Sequence, residues 1–226
     1  MLINIKHIVI YSHGFGVRKD DSGLFSDIAK NIPEVESVLF DYYIVNEQAK
    51  TLTIIPFSEQ VIKLNEIILK TRKANPDAII DLICHSQGTI VAALAKPKGV
   101  RKIIMLAPPF DMDVERSLKK YQTMPGSIIN LEGMSKLPTS TDGLERIVPS
   151  TYWIERLLIK PFAIYNKLAE ETDVISIEAN QDQVVPKVNL KELSKKIKLD
   201  PIDGNHNFSG KGRIILIEKL RHYIIY

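Results

Sequence analysis

Ser86 sits between two stretches of contrasting character. Before it runs Ile79-Ile80-Asp81-Leu82-Ile83-Cys84-His85, rich in branched apolar residues; after it runs Gln87-Gly88-Thr89-Ile90-Val91-Ala92-Ala93-Leu94, small and Ala-rich. This reads as a strand, a sharp turn and a helix, with Ser86 at the turn and little side chain at the flanking positions Cys84 and Gly88. A turn so tight forces its central residue into strained backbone and projects the side chain from the sheet edge. A hydroxyl held there meets a substrate carbonyl unobstructed, and the amides at the helix start face developing negative charge. The pattern is G-x-S-x-G with Cys84 in place of the first glycine. The plain alternative is an ordinary βα turn in which Ser86 caps the helix.

A serine nucleophile needs a base, and the base needs an orienting group. The chain has five histidines. His7 opens an apolar run and His222 falls in the last helical pattern, so both read as packing or surface residues. His13 belongs to an early glycine turn, where it is expected to satisfy loop backbone. His85 adjoins the serine in sequence, and its side chain is expected to turn away from it. His206, in the loop Asp203-Gly204-Asn205-His206-Asn207-Phe208 before the final helix, is the base candidate. The acid candidate is Asp182, in Ala179-Asn180-Gln181-Asp182-Gln183-Val184-Val185-Pro186, where the valines and proline would pin the loop. A carboxylate there would fix the imidazole tautomer and stabilise imidazolium as it forms. Asp111 and Asp113, after an earlier strand, remain rival acids.

Acyl transfer also needs amide donors for the tetrahedral oxyanion. Gln87 N–H opens the elbow helix. The second donor is expected from His13-Gly14-Phe15-Gly16, with Phe15 N–H as the choice, because the glycines let backbone approach. A simple turn is the alternative. The loop lacks the Lys-Ser/Thr ending of a P-loop and the third glycine of a dinucleotide fingerprint.

The elements that must hold these residues are legible at low resolution. His7 to Ser12, Ser37 to Asp41, Ile79 to Cys84, Lys102 to Leu106, Val174 to Glu178 and a short run near Ile197 to Leu199 read as strands. Leu24 to Ile32, about Ser58 to Lys73, and roughly Lys211 to Tyr226 read as helices. Continuous apolar strands alternating with helices indicate a parallel sheet covered on both faces. Residues 110–172 break the rhythm, with Pro125, Pro138, Pro149 and Pro161 and three glycines. There, Ser127 to Glu132 and Leu144 to Val148 are expected to pair as a hairpin, and Tyr152 to Leu158 and Phe162 to Leu168 to form short helices. The expected division is a core of 1–109 with 173–226 and a cap or lid of 110–172; an elaboration without function is the alternative. Trp153, Tyr152, Phe162 and Met134 would line an acyl pocket or form the insertion's own small core. Arg18 and Lys19, beside the glycine turn, would favour an anionic substrate or serve as plain surface charge.

Composition narrows the class. The 226 residues are 45% hydrophobic and 25% charged, with net charge +3 and scattered lysines, which argues against nucleic acid. One cysteine excludes an internal disulfide framework. No apolar run approaches the roughly 20 residues of a membrane span, and the start of the chain lacks signal-peptide features. The expectation is a cytoplasmic protein without metal or cofactor, acting on a small-molecule acyl ester; a homodimer stays open.

Together these motifs resemble the α/β-hydrolase superfamily of serine esterases, lipases and peptidases, and within it the small carboxylesterases and cinnamoyl (feruloyl) esterases. The matching residues are His13-Gly14-Phe15-Gly16, His85-Ser86-Gln87-Gly88, Asp182 with Val185-Pro186, and His206 with Phe208. They cover nearly the whole chain in the order Ser, Asp, His. The resemblance implies an α/β fold with a mostly parallel central sheet, helices on both faces and a cap insertion. It also implies a sheet trimmed at its N-terminal edge and ester hydrolysis through an acyl-enzyme. Cys84 for the first glycine, and Asn180 where the acid loop often carries glycine, depart from the pattern without removing a reactive group.

Overall fold

The computed structural model describes residues 5–138 and 142–226. The chain runs β1 (His7–Ser12), α1 (Leu24–Asn31), β2 (Glu36–Leu39), β3 (Ile44–Asn46), β4 (Thr51–Thr53), α2 (Phe57–Ala74), β5 (Ile79–His85) and α3 (Gln87–Ala95). It continues through β6 (Lys102–Leu106), α4 (Val114–Gln122), β7 (Met134–Leu137), β8 (Glu145–Pro149), α5 (Ser150–Leu158) and α6 (Pro161–Glu171). β9 (Asp173–Ile177), β10 (Lys198–Leu199) and α7 (Lys211–Ile225) complete it.

Six strands form the main sheet in the order β10-β9-β6-β5-β1-β2, and every pair is parallel. Alternation along the strands divides the apolar residues between two faces. Ile8, Ile10, Ile80, Leu82, Ile103 and Met105 meet α2, α3 and α6 through Leu64, Ile68, Ile90 and Leu168. Val9, Tyr11, Ile83, Ile104 and Leu106 meet α1 and α7 through Phe25, Ile28, Leu216 and Leu220. Both faces are covered, which is why these strands read as unbroken apolar runs. One charge interrupts them: Asp81, fully buried in β5, receives Arg101 and His7.

A second sheet, unforeseen in the sequence, has the order β3-β4-β8-β7. β4 pairs parallel with β8, so the 110–172 stretch shares this sheet with residues that precede α2. The expected hairpin exists, but its first strand is Met134–Leu137 rather than Ser127 to Glu132. Only Ile128 of the expected segment pairs, through a bridge to Lys136. The reason is Ser135, buried with its hydroxyl on Asn130 N–H and C=O, which closes the turn that follows Asn130. α4 was also not anticipated; Asp113 caps it by accepting from Arg116 N–H at 3.0 Å. α6 packs on α3 and leads into β9, its Tyr165 hydroxyl 2.7 Å from Thr89 Oγ1. It therefore serves as the crossover helix between β6 and β9. No helix among the described residues is long and apolar enough to cross a membrane.

Candidate active site

Ser86 follows the last residue of β5 and precedes the first of α3, with φ 49° and ψ −122°. A non-glycine residue holds such backbone only when its surroundings impose it. Ser86 N–H donates to Leu106 C=O at 2.9 Å, and Ser86 C=O accepts from Thr89 N–H and Oγ1 at 3.0 and 2.7 Å. Gly88 is the steric requirement of the turn. A Cβ there would lie 2.1 Å from Ser12 O, so no other residue lets α3 start against the end of β1. Cys84 occupies the first-glycine position without conflict as an ordinary buried residue of β5, opposite Ser12 and Met105.

Asp182 lies on the loop after β9, and His206 on the loop between β10 and α7. The fold brings both to Ser86 at the carboxyl end of the parallel sheet, where such sheets hold ligands. His206 Nε2 is 3.0 Å from Ser86 Oγ, and His206 Nδ1 is 2.7 Å from Asp182 Oδ2. With Nδ1–H donating to the carboxylate, Nε2 is left to accept the serine proton. Asp182 Oδ1 accepts from Val184 and Val185 N–H at 2.7 and 2.9 Å. Burial alone would raise the Asp182 pKa. The hydrogen bond and charge of His206, with those two amides, hold it below the usual carboxylate value. The rival acids are engaged elsewhere: Asp111 pairs with Arg116, and Asp113 caps α4.

The backbone N–H groups of Phe15 and Gln87 donate to no partner among the described residues. Gly14 brings the first loop against the serine, since a Cβ on it would sit 3.4 Å from Ser86 Cβ. Several groups fix this loop. Tyr43 OH donates to Gly14 O at 3.2 Å and accepts from Gln87 Nε2 at 3.0 Å, which ties the two candidate donor segments together. Gln87 Nε2 also donates to Gln60 Oε1, and Tyr152 OH donates to Gln87 Oε1 at 2.6 Å. His13 Nδ1–H donates to Gly14 O while Nε2 accepts Tyr42 N–H, so the ring is neutral; burial holds its pKa down. From β8, Arg146 donates to Gly16 O and pairs with Asp142.

His85 is buried beside the site, its ring 4.9 Å from that of His206 and engaged with Asp21 and the His206 backbone rather than with Ser86. Nδ1 lies 2.8 Å from Asp21 Oδ2, and Nε2 lies 3.0 Å from the backbone O of His206. A carbonyl only accepts, so Nε2 carries hydrogen. Burial alone would lower the pKa of His85, but the charge and hydrogen bond of Asp21 raise it. Burial likewise opposes ionisation of Asp21, yet His85, His13 and Gly14 N–H hold its pKa down. Both directions favour the imidazolium–carboxylate form of the pair. Sequence reasoning missed Asp21, Tyr43, Gln60 and Arg146, because their roles arise only from contacts across the fold.

The cleft above these groups encloses about 440 Å³. Its lining includes Met112, Arg116, Lys120, Tyr121 and Arg156 from the 110–172 stretch. Trp153, Tyr152 and Phe162 do not line it. Tyr152 and Trp153 are core, Tyr152 stacked on Phe57 and Trp153 tilted against Tyr121, and Phe162 packs on Phe110. Met134 is exposed. Arg18 is a surface residue paired with Glu47.

No protein-family model matches the sequence, and no curated protein matches it. Solved structures do share its fold. Est1E from Butyrivibrio proteoclasticus superposes with TM-score 0.69 at 17% identity, over 98% of this chain and 88% of that one. An esterase from Pyrococcus furiosus superposes with TM-score 0.62 at 15% identity, over 98% and 79%. A thioesterase domain of the curacin biosynthetic pathway gives TM-score 0.60 at 12% identity, over 97% and 91%. The chain has the α/β-hydrolase fold.

Proposed function

We propose that this chain is a serine hydrolase cleaving a small carboxylic ester through an acyl-enzyme. Ser86 Oγ attacks the ester carbonyl while His206 Nε2 takes its proton. The oxyanion is held by Phe15 and Gln87 N–H. Collapse expels the alcohol, which leaves with the proton returned by His206. Water then attacks the acyl-serine with His206 again as base, releasing the carboxylic acid and restoring the hydroxyl. Asp182 keeps His206 in the tautomer this cycle requires and stabilises imidazolium. Residues of the 110–172 stretch act as a cap that shapes the acyl or alcohol site. No step calls for a metal or cofactor, since the serine–imidazole pair supplies nucleophile and proton transfer. A cytoplasmic location belongs to the same reading, supported by a single, buried cysteine.

The observation that carries this reading is the run of hydrogen bonds from Ser86 through His206 to Asp182, starting on strained backbone beside unengaged amides. Peptides, thioesters and lactones suit the same groups, and a thioesterase domain shares the fold. Esters are favoured because esterases recur among the structural neighbours. The test is labelling with a fluorophosphonate probe, followed by mapping of the modified residue. Modification of Ser86, absent in Ser86→Ala, is expected. An unlabelled Ser86 would instead mark a binding module on a hydrolase fold.

A further inference from the structure

The cleft that holds Ser86 is also lined by Arg116, Lys120 and Arg156. Arg116 is neutralised by Asp111, and Asp21, at the base of the cleft, by His85. Lys120 and Arg156 have no carboxylate within 4.0 Å among the described residues. Arg156 is half-buried, and all its partners are neutral: Ser117 Oγ at 2.9 Å, with Met112 O and Tyr152 OH both at 3.4 Å. These use three of the five guanidinium N–H groups. A guanidinium withdrawn from water and left without a counter-charge costs free energy that a bound anion recovers. Its position is close to the chemistry: Tyr152 OH, which Arg156 touches, donates to the side chain of Gln87, next to Ser86.

We infer that Arg156, assisted by Lys120, binds an ionised acid group on the substrate, so that the preferred substrates are esters carrying a second, free carboxylate. This rests on the hydrolase reading above and narrows it. The planar fork of Arg156 engages a carboxylate through paired hydrogen bonds, while Lys120, exposed at the rim, adds a point charge. A cleft of about 440 Å³ is the size of one small molecule. An anion held by Arg156 in the cleft that Ser86 also lines would restrict how the ester carbonyl is presented to the serine.

Two ester pairs test this: 4-acetoxybenzoate against its methyl ester, and monomethyl adipate against dimethyl adipate. The readout is the ratio of kcat/KM for anionic over neutral ester, each corrected for its alkaline hydrolysis rate. The wild-type ratio is expected above one in at least one pair and to fall with added salt. Arg156→Gln is expected to lower it roughly ten- to hundredfold, Lys120→Gln less, and Arg156→Lys to restore part of it. A ratio at or below one in both pairs, or one unmoved by Arg156→Gln and Lys120→Gln, would overturn the inference. Calorimetric titration of the Ser86→Ala protein with 4-acetoxybenzoate and its methyl ester separates this from the function itself. Tighter binding of the anion, lost with Arg156→Gln, keeps the subsite even if the wild type turns over no ester. Equal binding of both ligands removes the subsite even if the wild type is an active esterase.

Discussion

Asp21 Oδ2 accepts hydrogen bonds from two directions, His85 Nδ1–H and Gly14 N–H, both at 2.8 Å. Through this one carboxylate the loop carrying Phe15 is tied to the histidine that in turn holds the backbone of His206. Removing its charge leaves His85 buried without a counter-ion, where burial alone favours the neutral imidazole and the ionic pair is lost. Asp21→Asn is expected to cost about 3–5 kcal/mol in urea unfolding and to lower kcat more than it raises KM. A near-neutral effect on both would mean the pair neither holds the fold nor positions the base loop.

The same pair sets a pH window for stability. The pKa of Asp21 is depressed, so its contribution is complete above its unfolded value of about 4 and is lost as pH falls through the folded one. The pKa of His85 is raised, so its contribution is complete below an unfolded value of about 6.5 and is lost as pH rises through the folded one. The stability difference between wild type and Asp21→Asn is therefore expected to peak between about pH 4 and 6.5 and to shrink on both sides. Denaturant midpoints across pH 3 to 9 read this directly. A flat difference would contradict the charge assignment.

Asp182→Asn keeps the size of the side chain but can donate to His206 Nδ1, favouring the tautomer with hydrogen on Nε2. That tautomer cannot accept from Ser86. A loss on the order of 10⁴ in kcat is expected by analogy with other triads, together with slow fluorophosphonate labelling. Labelling at the wild-type rate would show that another group orients the imidazole.

Tyr43 joins Gly14 O to the Gln87 side chain. Tyr43→Phe removes one of the two donors to Gly14 O, the other being His13 Nδ1–H, and is expected to destabilise the protein by about 0.5–1.5 kcal/mol. Because the loosened segments carry both candidate oxyanion donors, kcat should fall while KM moves little. Thermal unfolding with steady-state kinetics checks both halves.

Gly88→Ala places a methyl 2.1 Å from Ser12 O, backbone that cannot step aside. Destabilisation beyond about 4 kcal/mol is expected, seen as loss of soluble protein or a collapsed unfolding transition. Gly210→Ala, where a Cβ meets nothing within 4 Å, is the comparison, with its positive φ as the only penalty.

What the sequence carried locally, it carried well. The strand, turn and helix around Ser86 were readable because continuous apolar runs, a small-residue helix and a glycine encode short-range geometry. Asp182 and His206 were legible as candidates because each lies in a polar loop after a recognisable strand. The segment 127–132 differs from the expectation because the buried Ser135 hydroxyl holds Asn130 and the chain turns back there, so Ile128 bridges to Lys136 and Met134–Leu137 takes the place beside β8. The three-residue strands β3 and β4 were too short to leave a periodic signal, and they gain their partner in β8 from a segment far along the chain.

By itself, the sequence determined the fold class, the elbow and the identities of a serine, an aspartate and a histidine with suitable chemistry, since these depend on residue type and near-neighbour pattern. Only the tertiary structure decided how those groups are held: that His85 is buried against Asp21, that Tyr43 joins the two amide segments, and that Arg156 lines the cleft without a counter-charge. Each of those depends on atoms brought together from distant positions, where burial and hydrogen bonding set protonation and orientation. No local pattern records that environment.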